Sequence, residues 1–563
     1  VAALIPSERR LDITRRLVDI QLRRGGPVLP LVRPLLDSSL LPESGMARAF
    51  AAAANEALPD APELANDLFD AALTSGAAPG QLAARRAHAA AASGDLDSAL
   101  RLADQVIVDD AAPDRALGVQ VAASVLAHRG LLARSAELCA WSVGQVRWPG
   151  DAAFAAHGLI GVGRLEEARD LLRQEESGPP TSLSGAATQL AEGLLESVSG
   201  APASALSTLV RAASLAEPLG SAVTVPDTPA SVAAIVASHC GEFDVAQSTL
   251  DKAIASDTGG PLLRSRHRLL AAWLPMVRGD TATAKGMLDV AAVSTAARDQ
   301  LLATAIEAGI ANRDNDMTAL AAVRGRIRTA IAEHPVDLFA LLPLGELVFA
   351  AARLRDQDWI APYRKEARTL LWRLGSPPLW ASLLSWKCLQ ASIVLEAWED
   401  AREHAEQLND MAEHSPMSAA MAEGARVWLR ILGGRVDQAE AENAARGLHA
   451  AGMAWDGARL AGQAALRTTD RSAMLALLEC ARALQGKAPR PRAVGGSGEA
   501  VLSDREKEVA ELVLSGLTYK QVGERLFISA KTVEHHIGRM KQRLGCSNRE
   551  ELLVRLRELV ERA

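Results

Sequence analysis

A glycine followed five positions later by an alanine recurs along this chain, and its spacing limits the fold more than any other feature. The pair stands at Gly94 and Ala99, Gly163 and Ala168, Gly200 and Ala205, Gly241 and Ala246, Gly279 and Ala284, and Gly434 and Ala439, often with polar or acidic residues between, as in GDLDSA and GEFDVA. Weaker matches centre on Ala65, Ser135, Leu320, Ala361, Ala401 and Ala473, which makes twelve marks spaced 33 to 41 residues apart, with a mean of about 37. A period in this range belongs to a stack of repeated supersecondary units. The physical link is local: the glycine ends one helix in a left-handed cap that a side chain would strain, and the alanine sits early in the next helix, where the backbones come too close for anything larger. Such a unit is a helical hairpin that cannot bury its apolar face alone, so hairpins stack into a superhelix with an extended concave surface. A dozen units make more than one turn, enough to enclose a groove or channel. Composition agrees: 49% of residues are apolar, alanine is abundant and only 3% are aromatic, the profile of helix packed on helix.

The hairpin resembles the tetratricopeptide repeat, whose second helix opens with this small residue. The period is longer than that family's usual length of about 34 residues, and its bulky first-helix positions are only loosely kept. The resemblance implies an all-α array of degenerate repeats. Seven of the ten tryptophans (Trp359, Trp372, Trp380, Trp386, Trp398, Trp428 and Trp455) fall in one stretch of about a hundred residues. Indole faces stack on sugars or anchor peptides in concave pockets, so Trp359, Trp372, Trp380, Trp386, Trp398 and Trp428 are candidate ligand-lining residues. The plainer alternatives are that tryptophans at helical spacing belong to the core, and that the array is a spacer.

Motifs for chemistry are missing. There is no phosphate-binding GxxxxGK[ST] loop, no GxSxG elbow and no GxGxxG after a strand. The eleven histidines form no HExxH, and the five cysteines (Cys139, Cys240, Cys388, Cys480, Cys546) are scattered and lack any CxxC pair, which argues against zinc and against a disulfide framework. The expectation is a non-enzyme without cofactor. No apolar run approaches the length of a membrane span and no signal peptide opens the chain, so a cytoplasmic protein is expected.

At Gln485 the repeat pattern gives way to GKAPRPRAVGGSGEA, whose prolines and glycines break a helix. This divides the chain into a helical N-terminal segment (1–50), a repeat array (51–484), a linker (485–500) and a C-terminal module (501–563). Of the net charge of −7, the module carries +2 and the preceding 500 residues carry −9, and within the module Thr518 to Arg549 holds seven basic residues against two acidic ones. An acidic body with one small basic patch points that patch at a polyanion. Helix starts are dense here. Ser503 and Glu506 form a capping box, Thr518 and Ser529 cap a second and a third helix, and Asn548 caps a fourth with Leu552, Leu553, Leu556 and Leu559 at helical spacing. On a wheel of the third helix Val533, Ile537, Met540 and Leu544 share one face, and Lys531, Glu534, His535, Gly538 and Gln542 share the opposite one. Two helices joined by a tight turn, the second with one free face, make a helix-turn-helix reader.

The stretch LSDREKEVAELVLSGLTYKQVGERLFISAKTVEHHIGRMKQRLGCSNREELL closely resembles the LuxR-type DNA-binding domain of bacterial transcription regulators, over about 60 residues, with Leu502, Arg505, Glu506, Gly516, Leu526, Ile528, Ser529, Thr532, Val533, His536, Leu544 and Arg549 on characteristic positions. The resemblance implies a four-helix domain whose third helix enters the major groove. Lys520 and Lys531 then take phosphates, with Thr518, Ser529 and Thr532 adding hydroxyl or amide contacts. Glu534, His535 and Gly538 face the bases, and Arg539 reaches a base or a phosphate. Many members carry lysine where this chain has Glu534, which could instead accept from cytosine N4. Lys541 and Arg543 read as a solvated face and His536 as structural. By the same resemblance Leu552, Leu553, Leu556 and Leu559 of the fourth helix pair with a twin in a dimer.

A helical array ahead of such a domain looks like the C-terminal part of the large ATP-binding LuxR-type regulators. The nucleotide-binding module of those proteins is absent, and the chain opens with Val1, consistent with a missing upstream ATPase or with a valine start codon. The expected protein is a signal-responsive bacterial transcription regulator, nucleoid-associated when bound to DNA. Its expected partners are double-stranded DNA, a small-molecule inducer such as a sugar, a second copy on DNA, and RNA polymerase, with no membrane. The alternative is a repeat scaffold that recruits a protein partner and is tethered to DNA.

Overall fold

A computed structural model describes residues 7–36, 46–173, 181–291, 296–485 and, in the C-terminal module, 509–510, 512–514, 517–519, 521–522, 533–534, 537–538, 540–541, 544, 551–553 and 555–557. The chain forms two compact units, Val1–Ala488 and Pro489–Ala563. No strand occurs among the described residues.

The first unit opens with α1 (Ser7–Arg24) and α2 (Leu29–Leu36). Among the described residues twelve hairpins follow. The first six are α3 (Ala47–Ala57) with α4 (Pro62–Thr74), α5 (Pro79–Ala92) with α6 (Leu96–Val108), α7 (Arg115–His128) with α8 (Leu132–Gln145), α9 (Asp151–Gly161) with α10 (Leu165–Leu172), α11 (Ser182–Ser199) with α12 (Pro202–Ala216), and α13 (Pro229–Cys240) with α14 (Phe243–Ala255). The second six are α15 (Gly260–Arg278) with α16 (Thr281–Asp289), α17 (Ala297–Arg313) with α18 (Met317–Glu333), α19 (Leu341–Arg353) with α20 (Ala361–Arg373), α21 (Pro378–Leu395) with α22 (Trp398–Asp410), α23 (Pro416–Leu432) with α24 (Gln438–Ala450), and α25 (Ala454–Arg467) with α26 (Arg471–Leu484).

The small-residue signal works as its physics requires. Gly94, Gly163, Gly241, Gly279 and Gly434 adopt positive φ between +80° and +89°, and Ala99, Ala168, Ala205, Ala246 and Ala284 are fully buried. Asp95 and Asp280 cap α6 and α16 by accepting from the N–H groups of Ser98 and Thr283. Three positions depart. Gly200 is extended, at φ −127°. Ala439 is exposed because Asp437 caps α24 and starts it later, so buried Ala441 takes the close contact. Ala361 is exposed at the first position of α20, and Ala367 is buried in its place.

The two helices of a hairpin differ in kind. In α13 every residue from Pro229 to His239 is buried, and in α19 every residue from Leu341 to Ala352. By contrast α10 buries only Ala168 and α16 only Ala284. A helix enclosed on all sides is interior, and one with a narrow apolar stripe is surface. First helices therefore converge on the axis of the array, and those far apart in sequence touch there. The Trp380 indole donates to Ser197 Oγ at 3.1 Å and the Trp455 indole to the Arg313 carbonyl at 3.3 Å, and in the segment leading into α13 Thr224 Oγ1 lies 2.8 Å from His88 Nε2 on α5. This corrects the expectation of an open groove or channel. Alanine-rich first helices approach closely, and large side chains such as Trp380, Trp386 and Phe349 fill what they leave.

At the N-terminal end Val18, Val28 and Val32 pack on Phe50, Leu68 and Phe69. The Glu56 carboxylate accepts the Val28 N–H at 2.8 Å and the Leu29 N–H at 2.9 Å, capping α2. The second unit is helical where described. Its core gathers Val509, Ala510, Val513, Val522, Val533, Ile537, Met540, Leu552 and Leu556.

Candidate nucleic-acid interface and the interior of the array

In the C-terminal module the second helix begins at a reciprocal cap. The Thr518 N–H donates to Gln521 Oε1 at 2.9 Å, and the Gln521 N–H donates to Thr518 Oγ1 at 3.4 Å. Sequence reasoning found the Thr518 half and missed Gln521, although Thr-x-x-Gln is the signal for it. Thr518 is exposed. Val533, Ile537 and Met540 are buried while Glu534 and Gly538 are exposed, so the described residues of this segment divide into a core face and a free face. Among the described residues, a Cβ on Gly538 would meet nothing within 4 Å. Lys520, Ser529, Lys531, Thr532, His535 and Arg539 lie outside the described residues.

The expectation for the fourth helix is corrected in part. Leu552 and Leu556 are buried in the module's own core and Leu553 is half-buried against it. Helical spacing marks a buried stripe without saying whose core it enters, and here the module's own helices claim it. Leu559 lies outside the described residues.

The six candidate tryptophans do not line one surface. Trp380, Trp386 and Trp428 are fully buried, Trp359 is half-buried, and Trp372 and Trp398 are exposed at 76% and 42%. Trp380 packs on His239 with ring centroids 4.7 Å apart, and Trp386 on Trp428 at 5.9 Å. The faces of Trp380, Trp386 and Trp428 are spent on packing, which takes these three out of a sugar-stacking platform.

What the interior does contain is charge. Buried Asp227 lies 2.8 Å from Arg266 and 3.4 Å from Arg298. Burial alone would raise its pKa, and the two guanidinium groups override that, holding the carboxyl far below the usual range. Glu346 on α19 is bridged by Arg313 at 2.9 Å and Lys387 at 2.8 Å. These cations outweigh its burial and hold it at about 2. Asp456 accepts from the Trp386 indole at 3.3 Å and from the Gln390 amide. The Arg459 guanidinium stands 5.0, 5.1 and 5.3 Å from the ring centroids of Phe349, Trp428 and Trp455, a cation held by π faces. Burial lowers it to about 10. His128, His157, His239 and His267 are pushed down to about 4, chiefly by burial. None of these groups stood out in the sequence. The usable signal was a charged residue inside a run otherwise apolar on every side, such as Glu346 in LLPLGELVFAAA.

Among the described residues, no helix is long and apolar enough to cross a membrane and no cluster of three metal-ligating side chains occurs. Cys139, Cys240, Cys388 and Cys480 are free thiols.

Residues 500–556 match the family described as "Bacterial regulatory proteins, luxR family". The spore germination protein GerE of Bacillus subtilis is 41% identical over 61 residues, which are 11% of this chain and 82% of that protein. The DNA-binding transcriptional activator DevR/DosR of Mycobacterium tuberculosis is 36% identical over 58 residues, covering 10% of this chain and 27% of that one. The transcriptional regulatory protein DesR of Bacillus subtilis is 40% identical over 57 residues, covering 10% and 29%. Each of these likenesses covers about a tenth of this chain. The crystal structure of yeast Tom70 aligns over 78% of this chain and 96% of that one at 14% identity and a TM-score of only 0.23, so the description of the array rests on its own hairpins.

Proposed function

Because the chain belongs, through its C-terminal module, to the bacterial regulatory proteins of the luxR family, we propose that residues 51–484 are the sensor of a cytoplasmic transcription regulator whose residues 501–563 bind duplex DNA, with residues 485–500 as linker. The observation that carries the DNA half is the division of the third helix, with Val533, Ile537 and Met540 inside and Glu534 and Gly538 outside, within a segment rich in lysine and arginine. In this reading Lys520, Lys531, Thr518, Ser529 and Thr532 hold phosphates, while Glu534, His535, Gly538 and Arg539 face base edges. Two copies bind related half-sites through the side of the fourth helix that its own core leaves free, and RNA polymerase is the downstream partner. An inducer acts by preferring one state of the array over another.

The test is duplex binding at two salt concentrations. Binding should weaken steeply with salt as phosphates release counterions, and the Lys531→Ala, Thr532→Ala double variant should lose it while the helical signal of the array is unchanged. Retained binding sinks the assignment of the third helix. A finer prediction concerns Gly538. Gly538→Ala should stabilise the module by up to about 1 kcal/mol, the helix-propensity difference, because no described residue crowds the new methyl. If the glycine serves close approach to DNA, the same variant weakens duplex binding, and unchanged binding assigns Gly538 no recognition role.

A second reading, a scaffold that recruits a protein partner, draws on the 76% exposure of Trp372 on α20. Loss of a partner by Trp372→Ala, with no small molecule shifting the melting temperature, would favour it.

A further inference from the structure

On the outer surface of the array α20 and α22 carry charge of opposite sign. Each buries only a narrow stripe, Ala367, Leu370 and Leu371 on α20 and Ala401, His404 and Leu408 on α22, and leaves the rest exposed or half-exposed. Four cations on α20, Arg364, Lys365, Arg368 and Arg373, stand against Glu366, a net +3. Five carboxylates on α22 stand against Arg402, a net −4 with His404 held neutral by burial. Each helix also shows an indole to solvent, Trp372 at 76% and Trp398 at 42% exposure, although tryptophan is highly buried on average. Arg364 acts on Cys388 of α21 and on His404 of α22, so α20 and α22 are neighbours.

Helices on either side pair their charges within the chain. The arginines of α18 bridge to Asp356 and Glu307, and Arg426 and Arg430 of α23 bridge to Glu440. Among the described residues, no charged side chain of α20 or α22 forms an ion pair. A polyanion is repelled by the acidic half of this face and a polycation by the basic half. A second copy of the same face suits both halves. A two-fold axis parallel to the helices, set between α20 and α22, lays each copy's α20 on the other's α22, the self-complementary arrangement of a two-fold interface. Second helices of successive antiparallel hairpins run in the same direction, and the charges follow the same spacing along them. Counted from the first residue of each helix, Lys365 and Arg368 are fifth and eighth, Glu403 and Glu406 sixth and ninth, and Arg373 and Asp410 both thirteenth. Opposite charges come face to face when the two helices lie level.

We propose that two arrays meet on this face, the α20 of one copy against the α22 of the other and the reverse, with the Trp372 and Trp398 indoles as apolar anchors. This contact is separate from the pairing of C-terminal modules on DNA and does not rest on it. Two helices about 20 Å long, set about 10 Å apart, cover less than the roughly 800 Å2 per partner of a standard interface, so the contact is weak on its own, of micromolar order. It tightens when two copies are held on adjoining half-sites, which raises their effective concentration.

The experiment is sedimentation velocity of the full chain without DNA, over a range of protein concentrations, at about 0.1 M and about 1 M salt, between which the Debye length falls from about 10 Å to about 3 Å. The chain is expected to dimerise at the lower salt and to bind itself at least about tenfold more weakly at the higher. Two variants reverse one side each, Lys365→Glu with Arg368→Glu, and Glu403→Lys with Glu406→Lys. All four positions are exposed, so the helical signal should be unchanged. Either variant alone sets like charges together in both halves of the contact and should lose at least about tenfold in self-association. Mixed in equal amounts, the two variants restore opposite charges in both halves and should form a dimer again. Trp372→Ala should weaken the parent dimer about fivefold or more. A chain that stays monomeric at every concentration overturns the proposal. So does a dimer indifferent to both charge reversals, which would form elsewhere, as through the fourth helix of the module. A mixture of the two variants that fails to associate, or full association in Trp372→Ala, overturns it as well.

Discussion

Replacing Asp227 with alanine is expected to cost the array about 3–5 kcal/mol, the usual effect of breaking a buried ion pair from one side. Asp227 is fully buried just ahead of α13 and holds two guanidinium groups, Arg266 from α15 and Arg298 from α17, so one carboxylate joins three consecutive hairpins. Removing it leaves two cations in a site where Arg298 already has unpaired Nε and Nη2 groups, and where burial, reinforced by Arg266, lowers Arg298 to about 10. The penalty is the desolvation of two cations that have lost their salt-bridge partner, with Asp299 and Asp337 the carboxylates that still act on Arg298. Urea unfolding of the full chain, followed by its helical signal, is the measurement. The mechanism also predicts a rescue. Adding Arg298→Met to Asp227→Ala removes one orphaned cation and should recover at least about 1 kcal/mol. A loss below 1 kcal/mol in the single variant, or no recovery in the double, would show that the hub does not hold the hairpins together.

How far the fold could be read in advance depended on the range of the interaction. Gly94 and Ala99 describe a contact within one turn and the next helix, so such pairs locate hairpins well. Ala439 misled by two positions because the chain around Gly434 reads GGRVDQAEA, and the cap at Asp437 delays the helix. The meeting of Trp380 with Ser197, 183 residues away, depends on the curvature that all the hairpins accumulate, and no local pattern encodes it. A concave groove was accordingly expected where the structure has a packed centre, and three of the six tryptophans assigned to a ligand, Trp380, Trp386 and Trp428, are part of its filling. Asp227 in VPDTPAS and Arg266 in LLRSRHRLL carry no local pattern that marks them as buried partners. The clearest overlooked clue is that α13 and α19 lack a polar face, which a helix beside an open groove would need. In the C-terminal module the wheel placed Val533, Ile537, Glu534 and Gly538 on the sides where they are found, since a short helix over a small core leaves little freedom. The same reasoning misassigned Leu552 and Leu556 for want of any sign distinguishing a core leucine from an interface leucine.

Mild acid should unfold the array well before its carboxylates are protonated. His128, His157, His239 and His267 are held neutral by burial, with folded values of about 4 against 6.5 for a free imidazole. Between those values the unfolded chain binds more protons than the folded one, so stability falls as pH drops through 6.5 and continues to fall until about 4. At pH 5 each such histidine costs about 2 kcal/mol by this linkage, and four together approach the whole stability of an ordinary domain, about 5–15 kcal/mol. Glu346 acts in a different window. With a folded value of about 2 against 4.5, its stabilisation is complete above 4.5 and is lost only as pH falls from there towards 2, so it plays no part at pH 5. His157 isolates the effect, because its ring stacks on Phe339 at 5.0 Å and neither nitrogen has a hydrogen-bond partner. His157→Phe keeps a ring of similar shape and removes the titration. It should change the urea midpoint little at pH 7.5 and make the variant more stable than the parent by about 2 kcal/mol at pH 5. Parallel pH profiles for parent and variant would show that protonation of this imidazole is not coupled to unfolding, and that the acid sensitivity arises elsewhere.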